Sequence, residues 1–262
     1  MAETTSAQST SLLKALRVLL ALETETASDG KGVSEIAREL DLPKSAVHRL
    51  LVTFQAHGFV QQDARSRHYR LGPTLARLGL RAAEQYVPRE VARPYLEALA
   101  QEMGETVFLG VLAPHGVLIV DKVEHGHVLR VAPDLGTLLP LGQTALGMLL
   151  LAFCSPAEQQ ALLESCAPDV HRPGLPARLR AIAQQGYAVA VGEWVPDLSC
   201  IAAPIRNGQG QVIAALAVSM PQSRMPPPPR HDPFSGGGTV LPYPTLIPPV
   251  LTAAERISAA LP

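Results

Sequence analysis

The sequence predicts an α+β fold in two domains: a small helical one ending in a hairpin, then a larger one mixing strands and helices. Three observations carry that prediction. At 262 residues the chain is long enough for two domains of roughly 150 residues or fewer. Its 47% hydrophobic and 17% charged residues supply apolar material for packed cores and exclude a disordered chain. The hydrophobic period is helical up to Met103 and changes beyond Gly104, where β-rich apolar runs begin.

The elements follow in order. Leu12, Leu16, Leu19 and Leu20 recur at helical spacing, so Ser11 to about Leu22 reads as a first helix. A polar break with Asp29-Gly30 as its turn follows. Val33, Ile36, Ala37 and Leu40 then mark a short second helix, interrupted by Asp41-Leu42-Pro43. Proline suits the first turn of a new helix, and Asp41 is expected to cap that start. Val47, Leu50, Leu51 and Phe54 define a third helix ending near His57-Gly58. Two short helices joined by a tight turn are a helix-turn-helix. Lys44, Ser45, His48 and Arg49 lie on the exposed side of the second of them. Phe59 to Gln62 and His68 to Leu71 flank a polar loop as a small hairpin, with Arg65 and Arg67 at its tip.

Net charge is −1, which taken whole says nothing about nucleic acid, but its distribution does. Lys44, Arg49, Arg65, Arg67 and Arg70 face a single acid, Asp63, between Pro43 and Arg70. A basic face on a winged helix-turn-helix attracts phosphates, and short polar and basic side chains on the third helix reach base edges. Arginines at a wing tip suit a narrow minor groove or the adjacent phosphates.

These residues resemble a known family. Ser11-Leu12-Leu13-Lys14-Ala15-Leu16, Ser34 to Leu40, Leu42 to Leu51 and the wing's closing Tyr69-Arg70-Leu71-Gly72 are similar to the N-terminal domain of IclR-type transcriptional regulators. The resemblance implies a DNA-binding element from about Val33 to Val52, with Lys44, Ser45, His48 and Arg49 on the reading face.

Beyond the hairpin, Pro73 to Tyr86 reads as a connecting helix and Pro88 to Met103 as another. Thr106 to Ala113 and Val117 to Val123 are strands split by Pro114-His115-Gly116, and Val128 to Val131 reads as a further strand. Helices are expected over Thr144 to Phe153, Pro156 to Cys166 and Leu175 to Gln185, and strands over Ser199 to Ile205 and Val212 to Ser219. Such mixing argues an α+β domain. Leu139 to Gly147 (Leu-Pro-Leu-Gly-Gln-Thr-Ala-Leu-Gly) and Cys200-Ile201-Ala202-Ala203-Pro204-Ile205 resemble the same family's second half. With the final helix, Leu251 to Leu261, they imply a GAF-like effector-binding domain. The domain scheme is therefore 9–72 for the winged helix-turn-helix, 73–86 for a linker helix and 87–262 for the effector domain.

The resemblance carries the small-molecule pocket onto Val131, Thr144, Ala145, Leu146, Ala190, Cys200, Leu216, Ala217 and Ser219, with Arg130 or Glu193 as further polar contacts. The family's pocket-motif histidine is replaced at Gly142 or Gln143, and Ala190 and Ala217 stand where some members place polar side chains. The mostly apolar remainder favours an aromatic or medium-chain organic acid over a tiny polar one. Pro221 to Pro249 departs from the family: ten of the chain's 24 prolines lie there, a composition that favours polyproline II or disorder. It reads as an exposed insertion, a sequence artefact or a proline-rich partner motif.

No catalytic motif is present: there is no G-x-S-x-G, H-E-x-x-H, phosphate-binding loop or dinucleotide fingerprint. His125-Gly126-His127 reads as a solvated pair rather than a metal site, so neither metal nor cofactor is expected. Cys154, Cys166 and Cys200 form no C-x-x-C pair, which suits reduced thiols in a cytoplasm. No run approaches the ~18 apolar residues of a membrane span, and the N-terminus reads as no secretory signal. The expectation is a cytoplasmic, homodimeric or homotetrameric regulator with operator DNA and a small effector as partners, and RNA polymerase as a further contact. The competing reading is a metabolite-binding or enzymatic GAF-like protein whose N-terminal module only dimerises.

Overall fold

The structure, a computed structural model, describes residues 10–23, 30–85, 87, 89–125, 133–165, 174–226 and 243–261. It divides between Ala82 and Ala83 into two compact units.

The first unit contains α1 (Thr10–Leu20), α2 (Val33–Leu40), α3 (Lys44–Ala56), β1 (Val60–Gln62), β2 (Tyr69–Leu71) and all but the last two residues of α4 (Pro73–Glu84). Helical spacing turns Val18, Ile36, Ala37, Val47 and Leu51 inward, where they pack with Val60 and Tyr69 into one small core. On α1 only Val18 is fully covered; Leu12, Leu13, Leu16 and Leu20 are exposed. The α2–α3 turn differs from expectation. Asp41 does not cap α3; it ends α2 in the left-handed conformation (φ 53°), and Pro43 precedes α3 with no side-chain cap. Aspartate tolerates this backbone well among non-glycine residues, which is why it stands there.

The second unit is a six-stranded antiparallel sheet covered on both faces. Its strands are β3 (Thr106–Ala113), β4 (Gly116–Val123), β5 (Leu138–Leu139), β6 (Ala188–Val191), β7 (Leu198–Arg206) and β8 (Val212–Pro221), in the order β5-β4-β3-β8-β7-β6. One face packs α5 (Arg89–Met103) and α9 (Ile247–Ala260) over Leu109, Ile201, Leu216 and Val218. The other packs α6 (Ala145–Ala152), α7 (Pro156–Ser165) and α8 (Leu175–Gln185) over Phe108, Val117, Ala202 and Ala217. Helix α6 is buried from Ala145 to Leu151, apolar all round because it lies between sheet and α8.

Several boundaries differ from the sequence reading. Strands β5 and β6, two and four residues long, carry too little pattern to be predicted. Pro221 closes β8, and Gln222–Arg224 form a 3-10 turn. Helix α9 starts at Ile247, so Pro248 and Pro249 occupy its first turn, where the missing N–H groups need no partner. Both ends of the proline-rich stretch are therefore regular structure. The expected strand Val128 to Val131, residues 227–242 and Cys166 lie outside the described residues.

Candidate nucleic-acid interface and ligand pocket

In the first unit, burial of Val47 and Leu51 orients α3 so that Lys44, Ser45, His48 and Arg49 are all exposed on its other side. The wing is held by its own polar groups. Asp63 Oδ1 accepts from the backbone N–H of Ser66 (2.8 Å) and Arg65 (3.0 Å) and from the Ser66 hydroxyl (3.0 Å). These hydrogen bonds, the Ser66 backbone first, hold the Asp63 carboxyl below its ordinary pKa. Gln62 Nε2 donates to the Arg67 carbonyl (2.9 Å), and Arg67 adopts a left-handed backbone (φ 61°). Arg65 and Arg67 thus project from a fixed turn, both exposed.

The wing is tied back at both ends. Tyr69 N–H donates to the Lys31 carbonyl (2.8 Å) and Lys31 N–H to the Tyr69 carbonyl (2.9 Å), joining β2 to the approach to α2. At Gly72 an added Cβ would lie 2.3 Å from the Gly58 carbonyl oxygen, so the closing Tyr-Arg-Leu-Gly run needs glycine there. The Thr74 hydroxyl donates to the His57 carbonyl (3.0 Å), fixing the start of α4 to the end of α3.

In the second unit, a cavity opens between the sheet, the start of α6, the loop from β6 to β7 and Pro133. Thr144 caps α6: its hydroxyl accepts from Gly147 N–H (3.0 Å) and donates to the Pro140 carbonyl (2.8 Å). Gly147 is forced by packing, since a Cβ would lie 2.3 Å from the Leu141 carbonyl oxygen. The lining is mostly apolar, Phe108, Leu139, Leu146 and Trp194 among it, and its polar residues are Gln143, Thr144, Glu193, Cys200 and Ser219. Glu193 is bound in a bidentate fork by Arg178 (2.6 and 2.6 Å), which also donates to the Val189 carbonyl. Burial pushes the Cys200 thiol up to about 12, so it is a neutral small group and not a nucleophile.

Of the pocket residues expected from sequence, Thr144, Ala145, Leu146, Ala190, Cys200 and Ser219 line this cavity. Ala217 shares their face of β8 but lies in the core beneath α6. Leu216 is a correction: strand alternation turns it to the α5–α9 face, opposite the cavity. Arg130 and Val131 lie outside the described residues. The sequence reading missed Phe108, Pro133, Leu139, Trp194, Val195 and Leu198; the signal for Trp194 was a lone tryptophan in a short loop between strands. Among the described residues no cluster of three or more His, Cys, Asp or Glu could hold a metal. No described helix is long and apolar enough to cross a membrane.

A helix-turn-helix with an ordered wing, followed by an α+β unit with a small-molecule cavity, defines the class of DNA-binding regulators that carry their own sensor. Comparison with known proteins agrees. The profile of the IclR helix-turn-helix domain matches residues 11–64, and that of the bacterial transcriptional regulator IclR C-terminal domain matches residues 82–228. The chain is 33% identical to the HTH-type transcriptional regulator XynR of Escherichia coli, across 82% of this chain and 87% of that one. It is 36% identical to the glycerol operon regulatory protein of Streptomyces coelicolor, across 72% and 76%. A crystal structure of an IclR homolog from Microbacterium hydrocarbonoxydans complexed with 4-hydroxybenzoate superposes with a TM-score of 0.75 at 27% identity, covering 96% of this chain and 98% of that one. The chain belongs to the IclR family of bacterial transcriptional regulators, and it is a DNA-binding regulator rather than an enzyme.

Proposed function

We propose that the cavity beside α6 takes a small organic acid, aromatic in type, whose binding changes the affinity of the first unit for its operator. The observation that carries this reading is the cavity itself, whose lining combines the aromatic residues Phe108 and Trp194 and other apolar side chains with a few polar residues. The solved homolog with 4-hydroxybenzoate supports that chemistry. The proposed ligand contacts are Thr144, Ala145, Leu146, Ala190, Cys200 and Ser219, joined by Phe108 and Trp194. On the DNA side, Lys44, Ser45, His48 and Arg49 read the major groove, and Arg65 and Arg67 engage the minor groove or its phosphates. The domain scheme is 9–72 for DNA binding, 73–86 as linker and 87–262 for the effector.

The chain acts in the cytoplasm as a homodimer, or as a homotetramer of two such dimers, with RNA polymerase as a further contact in the regulatory complex. Exposed Leu12, Leu13, Leu16 and Leu20 on α1 supply an apolar face for a second copy, and a two-fold dimer matches a palindromic operator. The test pairs two titrations. Operator duplex from the chain's own upstream region should bind with strong salt dependence. Arg49→Ala or His48→Ala should cost about 1–3 kcal/mol of specific affinity, whereas Arg65→Ala should lower affinity for all duplexes and reduce the salt slope by about 1. Trp194, the chain's single tryptophan, should report 4-hydroxybenzoate and related acids by its emission. Acids that change neither Trp194 emission nor operator affinity would remove the effector assignment.

A further inference from the structure

Two neighbouring residues of β4 face opposite sides of the sheet, and together they reach from the cavity wall to the start of α5. Up to Val120 the strand alternates: Val117 and Ile119 pack on the α6 side, Leu118 and Val120 on the α5–α9 side. Continued alternation would aim Asp121 at α6. Instead Gly110 pairs with Ile119 while Leu109 pairs with Asp121, so Val120 is an extra residue, a β-bulge. The bulge re-aims Asp121 onto the α5 side. Lys122 then stands opposite Phe108, a wall of the cavity.

Each residue is anchored on its own side. Asp121 is 3% exposed. Its Oδ1 accepts from Arg93 Nη1 (2.9 Å), and its Oδ2 lies 3.4 Å from Arg89 Nε, with no hydrogen-bond partner among the described residues. Arg93 also donates to the Lys122 carbonyl (3.0 Å), so both β4 residues hold the same guanidinium. Arg89 is the first residue of α5 and Arg93 lies one turn on. On the other side the Lys122 ammonium binds Asp134 (2.8 Å) and Glu124 (2.9 Å). Asp134 directly follows Pro133, which lines the cavity. A buried carboxylate is tolerated only while its cationic partners stay in place, so the first turn of α5 is held to β4 by electrostatic necessity.

We infer that Asp121 and Lys122 are positioning residues that couple the Pro133 edge of the cavity, through the sheet, to the first turn of α5. Neither lines the cavity. A ligand that moves Pro133 shifts Asp134 and Lys122, and through the Lys122 carbonyl and the Asp121 carboxylate it shifts Arg93. Helix α5 follows α4 closely in the chain, so this displacement enters the connection toward the DNA-binding unit. Its regulatory meaning rests on the proposed reading of the cavity; the coupling itself does not.

Amide hydrogen exchange on the full-length chain, without ligand, tests it. Coupling is reciprocal, so each substitution is read on the opposite side of the sheet. In Lys122→Met, peptides over residues 89–96 should exchange at least about fivefold faster, although the lost ammonium pairs with Asp134 and Glu124 and not with α5. In Asp121→Asn, peptides over residues 133–139 should speed up by a similar factor. Protection of β7 and β8 should hold in both, which separates coupling from general loosening. Exchange that rises only on the side of the substituted group overturns the inference. Should either variant fail to fold, Asp134→Ala, at a side chain 90% exposed, carries the test on residues 89–96, and no change there overturns it equally. If the coupling is seen while no acid binds, the pocket reading fails and the coupler stands. If acids bind without any cross-sheet change in exchange, the coupler fails and the pocket reading stands.

Discussion

The two units treat the same building materials in opposite ways. Of the large hydrophobic side chains left exposed among the described residues, Leu12, Leu13, Leu16, Leu20, Val52, Leu71, Leu78 and Leu80 belong to the first unit. Only Leu135, Leu138 and Trp194 belong to the second, all within a few residues of cavity walls. The buried polar groups show the reverse: Glu105, Thr106, Asp121, Thr144, Ser199 and Ser219 all lie in the second unit. A unit that presents its surface to other molecules can keep a minimal core. In the second unit two of these groups, Thr144 and Ser219, line the cavity, and helices cover both faces of the sheet that carries most of the others.

Two helical glycines test the difference between the units most directly. At Gly147 in α6 a Cβ would meet the Leu141 backbone at 2.3 Å, whereas at Gly79 in α4 it would meet nothing within 4 Å. Gly147→Ala should destabilise the second unit by about 3 kcal/mol or more, because the obstacle is backbone and cannot swing aside. Gly79→Ala should stabilise its helix by roughly 0.5–1 kcal/mol, since alanine loses less entropy there. Denaturant melts of the full chain, followed by Trp194 emission for the second unit and by far-ultraviolet dichroism, check both. Equal costs at the two sites would mean that α4 is as tightly enclosed as α6.

A leucine pair sharpens the same contrast. Leu149 is completely buried in α6 and Leu16 is 47% exposed on α1. Leu149→Ala should cost about 2–5 kcal/mol of folding stability through lost burial and the cavity left behind. Leu16→Ala should change monomer stability by no more than roughly 0.5 kcal/mol. Its effect should appear instead in sedimentation, as weaker self-association, and in steeper concentration dependence of operator binding. A Leu16 variant that melts early yet self-associates normally would return the α1 face to the role of ordinary core.

Legibility from sequence followed the same divide. The first unit's helices were readable because Val33, Ile36 and Ala37, and Val47 and Leu51, recur at helical spacing within each helix, although the core they form with Val18 and Tyr69 joins distant parts of the chain. The error at Asp41 arose because aspartate serves equally as an N-cap and as a left-handed helix end, and only the chain path separates the two. In the second unit, strands β3, β4, β7 and β8 were long enough to show their pattern, whereas β5 and β6 exist mainly because their neighbours offer free edges. Leu216 was carried over by position from the family resemblance, and the alternation of β8 turns it to the α5–α9 face. The bulge at Val120 has no sequence signature, so the side to which Asp121 points could be learned only from the pairing of β3 with β4.

The smallest expected effect concerns the two fully solvated carboxylates, Asp63 in the wing and Asp134 beside the cavity. Both have pKa values held below the ordinary carboxylate value, Asp63 by hydrogen bonds from Ser66 and Arg65, Asp134 by the Lys122 ammonium. A folded-state pKa below the unfolded one stabilises above the unfolded value of roughly 4, and that contribution is lost as pH falls through the folded value. Neither group should therefore make operator binding or stability vary between neutral pH and the mildly acidic range. The two differ in their response to salt. The Lys122–Asp134 attraction reaches an exposed carboxylate from a mostly covered ammonium and should weaken as ionic strength rises. The Asp63 turn is held by dipoles of its own loop and should be insensitive. Carboxyl carbon shifts followed by NMR during acid titration at two salt concentrations separate them: the Asp134 midpoint should rise with salt and the Asp63 midpoint should stay. A wing midpoint that climbs with salt would mean that Arg70, the remaining charge acting on Asp63, holds the turn instead of the Ser66 and Arg65 amides. The tip that positions Arg65 and Arg67 would then itself be electrostatic, and phosphate binding would compete with its folding.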